Sequence, residues 1–144
     1  MEIYEKYDVG VLWRLFQYVS PTGRRTIDDW RAALTVAGRA DFDVFLRNMA
    51  KKSKWQYPDI GGLSDKHLKG FRELRWKSSN VPHRVGGYFS SDAEFVMLIG
   101  WTHNAKKYTP PTALDLLVKR SNHLSTGEAS ICEYSIFTGS AVKK

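Results

Sequence analysis

The hydrophobic and polar positions change period several times along the chain, and each change predicts an element. From Trp13 to Val19 the run WRLFQYV combines aromatic and β-branched residues and stops at Ser20-Pro21-Thr22-Gly23, which predicts a first strand closed by a turn. Beyond it Ile27, Trp30, Leu34 and Ala37 recur at helical spacing behind Thr26. Asp29 falls three residues after Thr26, a capping-box position, so a helix is expected to begin near Ile27. Phe42, Phe45, Leu46 and Met49 predict a second helix after Asp41. Lys51, Lys52 and Lys54 fall at its C-terminal end, where the helix dipole favours cations. Both stripes have the spacing of ordinary core faces.

Residues Ser53 to Lys69 mix Pro58, Gly61 and Gly62 with polar residues and are expected to form a long flexible connection. Three strands should follow, Phe71 to Trp76, His83 to Phe89 and Glu94 to Thr102, joined by short Ser-, Asn- and Asp-containing turns into an antiparallel meander. Thr109, Pro110 and Pro111 then open a helix with Ala113, Leu114, Leu117 and Val118 apolar and Lys119 and Arg120 near its end. Ile131 to Phe137 is a candidate edge strand. These elements predict a single α+β domain over residues 1–144, with 1–12 as an N-terminal extension and 125–144 as a C-terminal tail. Its expected architecture is a small antiparallel sheet of about four strands, with two N-terminal helices packed on one face, a basic stripe on the other, and a C-terminal helix.

Composition supports a packed core: of 144 residues 42% are hydrophobic and 13% aromatic. The net charge of +7 raises the prior for a polyanionic partner without bearing on fold. Its distribution sharpens the picture, because Lys66, Lys69, Arg72, Arg75, Lys77 and Arg84 face a single acid, Glu73, in one β-rich stretch. One cysteine, Cys132, excludes an internal disulfide and a multi-cysteine zinc site, fits a reducing compartment, and reads most simply as a buried small hydrophobe. The opening MEIYEKYDVG holds three acids and no apolar run, so no signal peptide is expected. No stretch approaches membrane-spanning length, and a cytoplasmic protein without a membrane partner is expected.

Strand alternation assigns the stripe a face. From His83 onward, Val85, Gly87 and Phe89 should share one face and Arg84, Gly86 and Tyr88 the other, while Leu74 and Trp76 look inward as core. Arg75 should then lie beside Arg84, giving two planar guanidinium groups suited to bidentate phosphate contact, or else a surface salt bridge with Glu73. Gly86 and Gly87 would admit a nucleotide close to the backbone, or mark a β-bulge. Cutting a bound RNA without a metal would need a group to accept a proton from the attacking 2′-hydroxyl, positive charge for the transition state and a donor for the leaving oxygen. His103, Lys106 and Lys107 leave the end of a buried strand, a place from which such groups can act; the alternative for each is a solvated loop. Tyr108 could stack on a base or pack in the core. His67, His83 and His123 lack any metal-ligand spacing, and HExxH, CxxC, GxGxxG and GxxxxGK[ST] patterns are absent, so neither metal nor cofactor is expected.

The order strand, two helices, three strands, helix, with Glu73-Leu74-Arg75, the Arg84-Val85 strand start, and Gly100-Trp101 leading to Lys106-Lys107 before Thr109-Pro110 and a helix, resembles the phage-derived Gp49-like proteins. These are HigB-type members of the RelE/ParE toxin superfamily. The resemblance implies a RelE-like fold and the toxin of a type II toxin-antitoxin system. The implied toxin is a metal-independent, ribosome-associated endoribonuclease acting on mRNA, opposed by a cognate antitoxin of helix-turn-helix type. Taken with the residue reading above, it makes Lys106 and Lys107, with Arg84 and His103, the candidate catalytic groups, and Arg72, Arg75, Lys77, Tyr88 and Tyr108 the candidate RNA contacts. The reading from another class is a non-catalytic protein: a ParE-like inhibitor of a protein target, or a phage-derived nucleic-acid-binding module.

Overall fold

The computed structural model describes residues 11–136. In chain order its elements are β1 (Arg14–Val19), α1 (Thr26–Ala32), α2 (Val36–Ala50), β2 (Ile60–Gly62), a short 3-10 turn (Lys66–Leu68), β3 (Arg72–Ser78), β4 (Val81–Ser91), β5 (Glu94–Asn104), β6 (Lys107–Thr109), α3 (Ala113–Thr126) and β7 (Ser130–Glu133).

The strands form one seven-stranded sheet in the order β2-β3-β4-β5-β1-β7, with β6 paired to β5. The β3–β4–β5 meander is antiparallel, but β1 lies parallel to β5, with Leu15 opposite Phe95 and Gln17 opposite Met97. The expectation of a small, purely antiparallel, RelE-like sheet of about four strands is therefore overturned: the sheet is mixed and has seven strands. The difference has a physical origin. β2, β6 and β7 are three or four residues long, too short for alternation to register, and β2 arises inside the segment expected to be a flexible connection. Of the edge strand expected over Ile131 to Phe137, Ile131, Cys132 and Glu133 fall in β7, which pairs antiparallel with β1, while Phe137 lies outside the described residues, as do residues 1–10.

The run from Phe95 to Trp101 is buried at every position, which marks β5 as a central strand covered on both faces. On one face Leu15, Leu74, Val85, Phe95 and Met97 pack with Ile27 of α1 and with Phe42, Leu46 and Met49 of α2. On the other, Val96, Leu98, Ile99 and Trp101 pack with Ala113 and Leu117 of α3 and with Leu68. The second face is thus covered over its centre by α3, a further correction to the expected open basic platform. A β-bulge makes this cover fit. Gly86 pairs with Ile99 and Gly87 with Met97, so Leu98 is the extra residue, and Leu98 and Ile99 both reach the α3 cluster.

Local details also differ from the pattern-based expectation. Thr26 does not cap α1; the buried Gln17 of β1 accepts from the backbone N–H groups of Ile27 (3.1 Å) and Asp28 (2.9 Å), while its own amide donates to Asp28 (3.0 Å). A distant strand residue therefore satisfies the helix start, which no capping motif reveals. α2 begins at Val36 rather than after Asp41, with the Thr35 hydroxyl accepting from Gly38 N–H at 2.9 Å. Arg31 of α1 forks onto Asp43 of α2, Nε to Oδ1 at 2.8 Å and Nη2 to Oδ2 at 2.6 Å, locking the two helices together. Cys132 lies on the edge strand β7 and is only partly buried. No helix among the described residues is long and apolar enough to cross a membrane.

Candidate polyanion interface

Three strands place the basic residues. β3 directs Leu74 and Trp76 into the α1–α2 core, so alternation turns Glu73, Arg75 and Lys77 to the α3 face. On β4, Val85 enters the same core, which turns Arg84 toward the α3 face. The ladder sets Arg75 opposite Arg84 and Arg84 opposite Trp101. The two guanidinium groups, Tyr57 and Lys77 line a groove of about 420 Å³ beyond the reach of α3.

Glu73 decides how much of this charge is free. Its Oε2 lies 2.8 Å from Arg75 Nε and 3.7 Å from Arg84 Nε, with only 11% of the Glu73 side chain exposed. One carboxylate therefore bridges both arginines, and the trio carries a net single positive charge rather than two. Arg84 also donates from Nη1 to the His83 carbonyl at 3.0 Å, and the Arg75 guanidinium stands over the Tyr57 ring, 5.9 Å from its centroid. Gly61 makes this placement sterically accessible: a side chain there would collide with the Arg75 guanidinium. Tyr57 did not stand out in the sequence, and Gly61 read only as a mark of the expected connection.

The second half of the surface is the β5–β6 hairpin. Trp101 is fully buried and stacks on Tyr108 with ring centroids 5.6 Å apart, and His103 meets the Tyr108 ring edge-on at 4.8 Å. Arg75, Arg84 and Trp101 stand opposite one another across β3, β4 and β5, and the buried Trp101 contacts Tyr108, which faces His103, so one buried ring links the arginine groove to the hairpin. Beyond it, His103, Lys106, Lys107, Leu114 and Asp115 line a groove of about 930 Å³ between the hairpin and the start of α3. Ala105 takes a left-handed conformation (φ 56°) at the hairpin tip, with Lys106 exposed next to it and Lys107 exposed at the start of β6. The loop that was expected to carry the two lysines is in fact a short hairpin, and Asp115 lines the same groove as the lysines.

Two proposed contacts fall elsewhere. Alternation puts the exposed Arg72 on the face of Leu74 and Trp76, opposite to Arg75. Tyr88 is on the α3 face but four residues along β4 from Arg84, roughly 13 Å away at the usual rise per residue. It is half-buried against the α3-side cluster, and this burial raises its pKa. Gly86 and Gly87 serve packing: a β-carbon at Gly86 would press on Trp101 and Leu117, and one at Gly87 would run into the Val96 carbonyl. The paired glycines therefore belong to the bulge and to α3 docking. His83 is buried between Trp30 and Trp76, with Nδ1 2.8 Å from the Val81 carbonyl. Among the described residues no three His, Cys, Asp or Glu side chains converge into a group able to hold a metal ion.

No family model, no curated protein and no solved structure matches the chain.

Proposed function

We propose that the chain is the toxin of a type II toxin-antitoxin system: a ribosome-associated mRNA endoribonuclease that works without a metal, acts in the cytoplasm and is silenced by an antitoxin of helix-turn-helix type. The observation that carries this reading is the link from Arg75 and Arg84 through the buried Trp101 to Tyr108 and His103, which combines paired guanidinium groups, a stacking ring and a titratable imidazole. In this reading Arg75 and Arg84 hold a phosphate, with Lys77 beside them. Lys106 and Lys107 offset the transition-state charge, Tyr108 stacks on a base, and His103 moves the proton. Arg72 and Tyr88 have no place in it, because one faces away and the other lies well along β4. The non-catalytic alternative draws on Glu73, which already neutralises one of the two arginine charges and so suits reversible binding as well as chemistry.

Primer extension on translated mRNA, with wild type and Arg84→Ala in parallel, separates these readings. Discrete cleavage sites that vanish with Arg84→Ala support the endoribonuclease. Toxicity without any cleavage rejects it in favour of an inhibitor of a protein target.

A further inference from the structure

The neighbours of β5 leave a gap along one edge. β1 accompanies β5 only as far as Met97, and β6 joins only at Thr102, so the backbone from Leu98 to Trp101 has no strand beside it there. The turn after β1, the approach to α3 at Pro110, and α3 itself enclose this gap as a pocket of about 490 Å³. Trp30, Ile99, Pro110 and Leu116 give it apolar walls, and Ser20 and Thr22 lie at its polar rim. The groove of the β5–β6 hairpin is separate, although the approach to α3 borders both.

Arg120 reaches into this pocket from α3. Its Nη1 donates to the Leu98 carbonyl at 2.8 Å, satisfying a group that the end of β1 left bare, and its guanidinium lies 5.2 Å from the Tyr18 ring centroid. A guanidinium carries five N–H donors, and that carbonyl is the one protein acceptor Arg120 has among the described residues, where no carboxylate comes within ion-pair distance of it. Burial lowers its pKa, with the Tyr18 oxygen opposing the shift. A partly buried cation with donors to spare is unfavourable alone and favourable with an anion. The second arginine of the pocket, Arg24, is already held by Asp29 at 2.9 Å, which leaves a local net charge of one. That balance matches a monoanion, and the planar fork of Arg120 matches a carboxylate.

We infer that this gap pocket binds a small monocarboxylic acid with an aromatic or branched apolar body, its carboxylate on Arg120 and its body against Trp30, Ile99 and Leu116. The site is independent of the RNA reading, and Arg84→Ala should leave it untouched.

The test titrates the full chain with phenylacetate, following heat and the amide resonance of Gly100, and repeats the titration with the neutral analogue phenylacetamide and with inorganic phosphate. Saturable phenylacetate binding is expected, with the amide weaker by roughly 10-fold to 100-fold, the scale of a hydrogen bond to a charged group. Arg120→Gln should show the same loss for phenylacetate, while Arg120→Lys, which keeps the cation, should lose less. Absent phenylacetate binding, equal affinity for acid and amide, or undiminished binding by Arg120→Gln overturns the inference. Tighter binding of phosphate than of phenylacetate overturns the monocarboxylate assignment. If Arg120→Gln does not fold, the acid-amide comparison on the wild-type chain decides alone.

Discussion

Arg75 stands directly opposite Arg84 in the β3–β4 ladder, a like-charge pair that is unfavourable in an antiparallel sheet by itself. The Glu73 carboxylate, reaching both guanidinium groups, is what makes it tolerable, and it does so at the expense of the charge a phosphate would meet. Glu73→Gln should therefore split stability from binding. Unfolding midpoints should fall by an amount corresponding to about 1–3 kcal/mol, because two partly buried cations lose their counter-charge. RNA affinity at low salt should rise, and the log-log salt dependence should steepen by about 0.7 to 0.9 for each further phosphate engaged. Unchanged RNA affinity in a destabilised Glu73→Gln protein would show the arginine pair to be a structural ion cluster only.

The opposite orientations of Arg72 and Arg84 supply a second, internally controlled experiment. Both belong to the basic stretch, and composition alone predicts equal effects. If the Arg84 row is the working face, Arg84→Ala should fold and lose cleavage on the order of 10²-fold, the scale for one preorganised donor. Arg72→Ala should differ little from wild type. Equal losses would indicate diffuse electrostatic attraction, and an inert Arg84→Ala would remove it from the site.

How much of this was legible in the sequence depended on run length and on the range of each interaction. The faces of β4 were legible, since Val85 and Arg84 alternate over enough residues to be read, and so was the full burial of β5. The parallel pairing of β1 with β5 was not, because Leu15 and Phe95 are distant in sequence and nothing in either strand encodes direction. The cover of the second face by α3 also escaped the pattern: Leu117 and Ala113 declare an apolar stripe but not the surface it meets. At the candidate site, the adjacency of Arg75 and Arg84 followed from alternation. The place of Tyr57 depends on where the segment before β2 docks, and the bridging of both arginines by Glu73 depends on side-chain rotamers, so neither could be read.

Packing against glycine yields a stability prediction at two positions. A β-carbon at Gly100 would enter the Trp30 ring, and one at Gly87 would enter the Val96 carbonyl, which as backbone cannot swing aside. Gly100→Ala should cost about 1–3 kcal/mol, the range for overpacking a core, and Gly87→Ala at least as much. Gly62→Ala has open space and should be nearly neutral. Chemical denaturation of the three variants gives the order directly. A neutral Gly87→Ala would contradict the register at the bulge.

Tyr134 ties stability to alkaline pH. Its ring is buried between α2 and β1, and desolvation, helped by Asp43, raises its pKa far above the ordinary value, with Arg31 opposing. Because the folded pKa exceeds the unfolded one, the contribution is complete below the unfolded value of about 10 and is lost as pH climbs past it. Urea midpoints should hold steady to about pH 9 and then fall. Tyr134→Phe should flatten most of that fall, leaving a smaller slope from Tyr18 and Tyr88, whose pKa values burial also raises. The same alkaline loss in Tyr134→Phe would refute the assignment.

His103 and the two lysines separate chemistry from mere charge. The imidazole rests edge-on against Tyr108, which is itself stacked on the buried Trp101, so its position is set by two packed rings rather than by a free loop. Lys106 and Lys107 are exposed at the hairpin. If His103 transfers the proton, His103→Gln should lower single-turnover cleavage by about 10² to 10⁴ and delete one limb of the pH-rate profile, with RNA affinity nearly intact. Lys106→Ala with Lys107→Ala should instead reduce affinity and rate together and flatten the salt dependence by about 0.7 to 0.9 for each phosphate lost. A solvated hairpin predicts neither effect, since exposed substitutions shift stability by only about 0.5 kcal/mol and leave function alone. Cleavage and melting both unchanged in the two variants would exclude the hairpin from the active site. The arginine row would then remain as a binding surface without a proton-transfer group of its own.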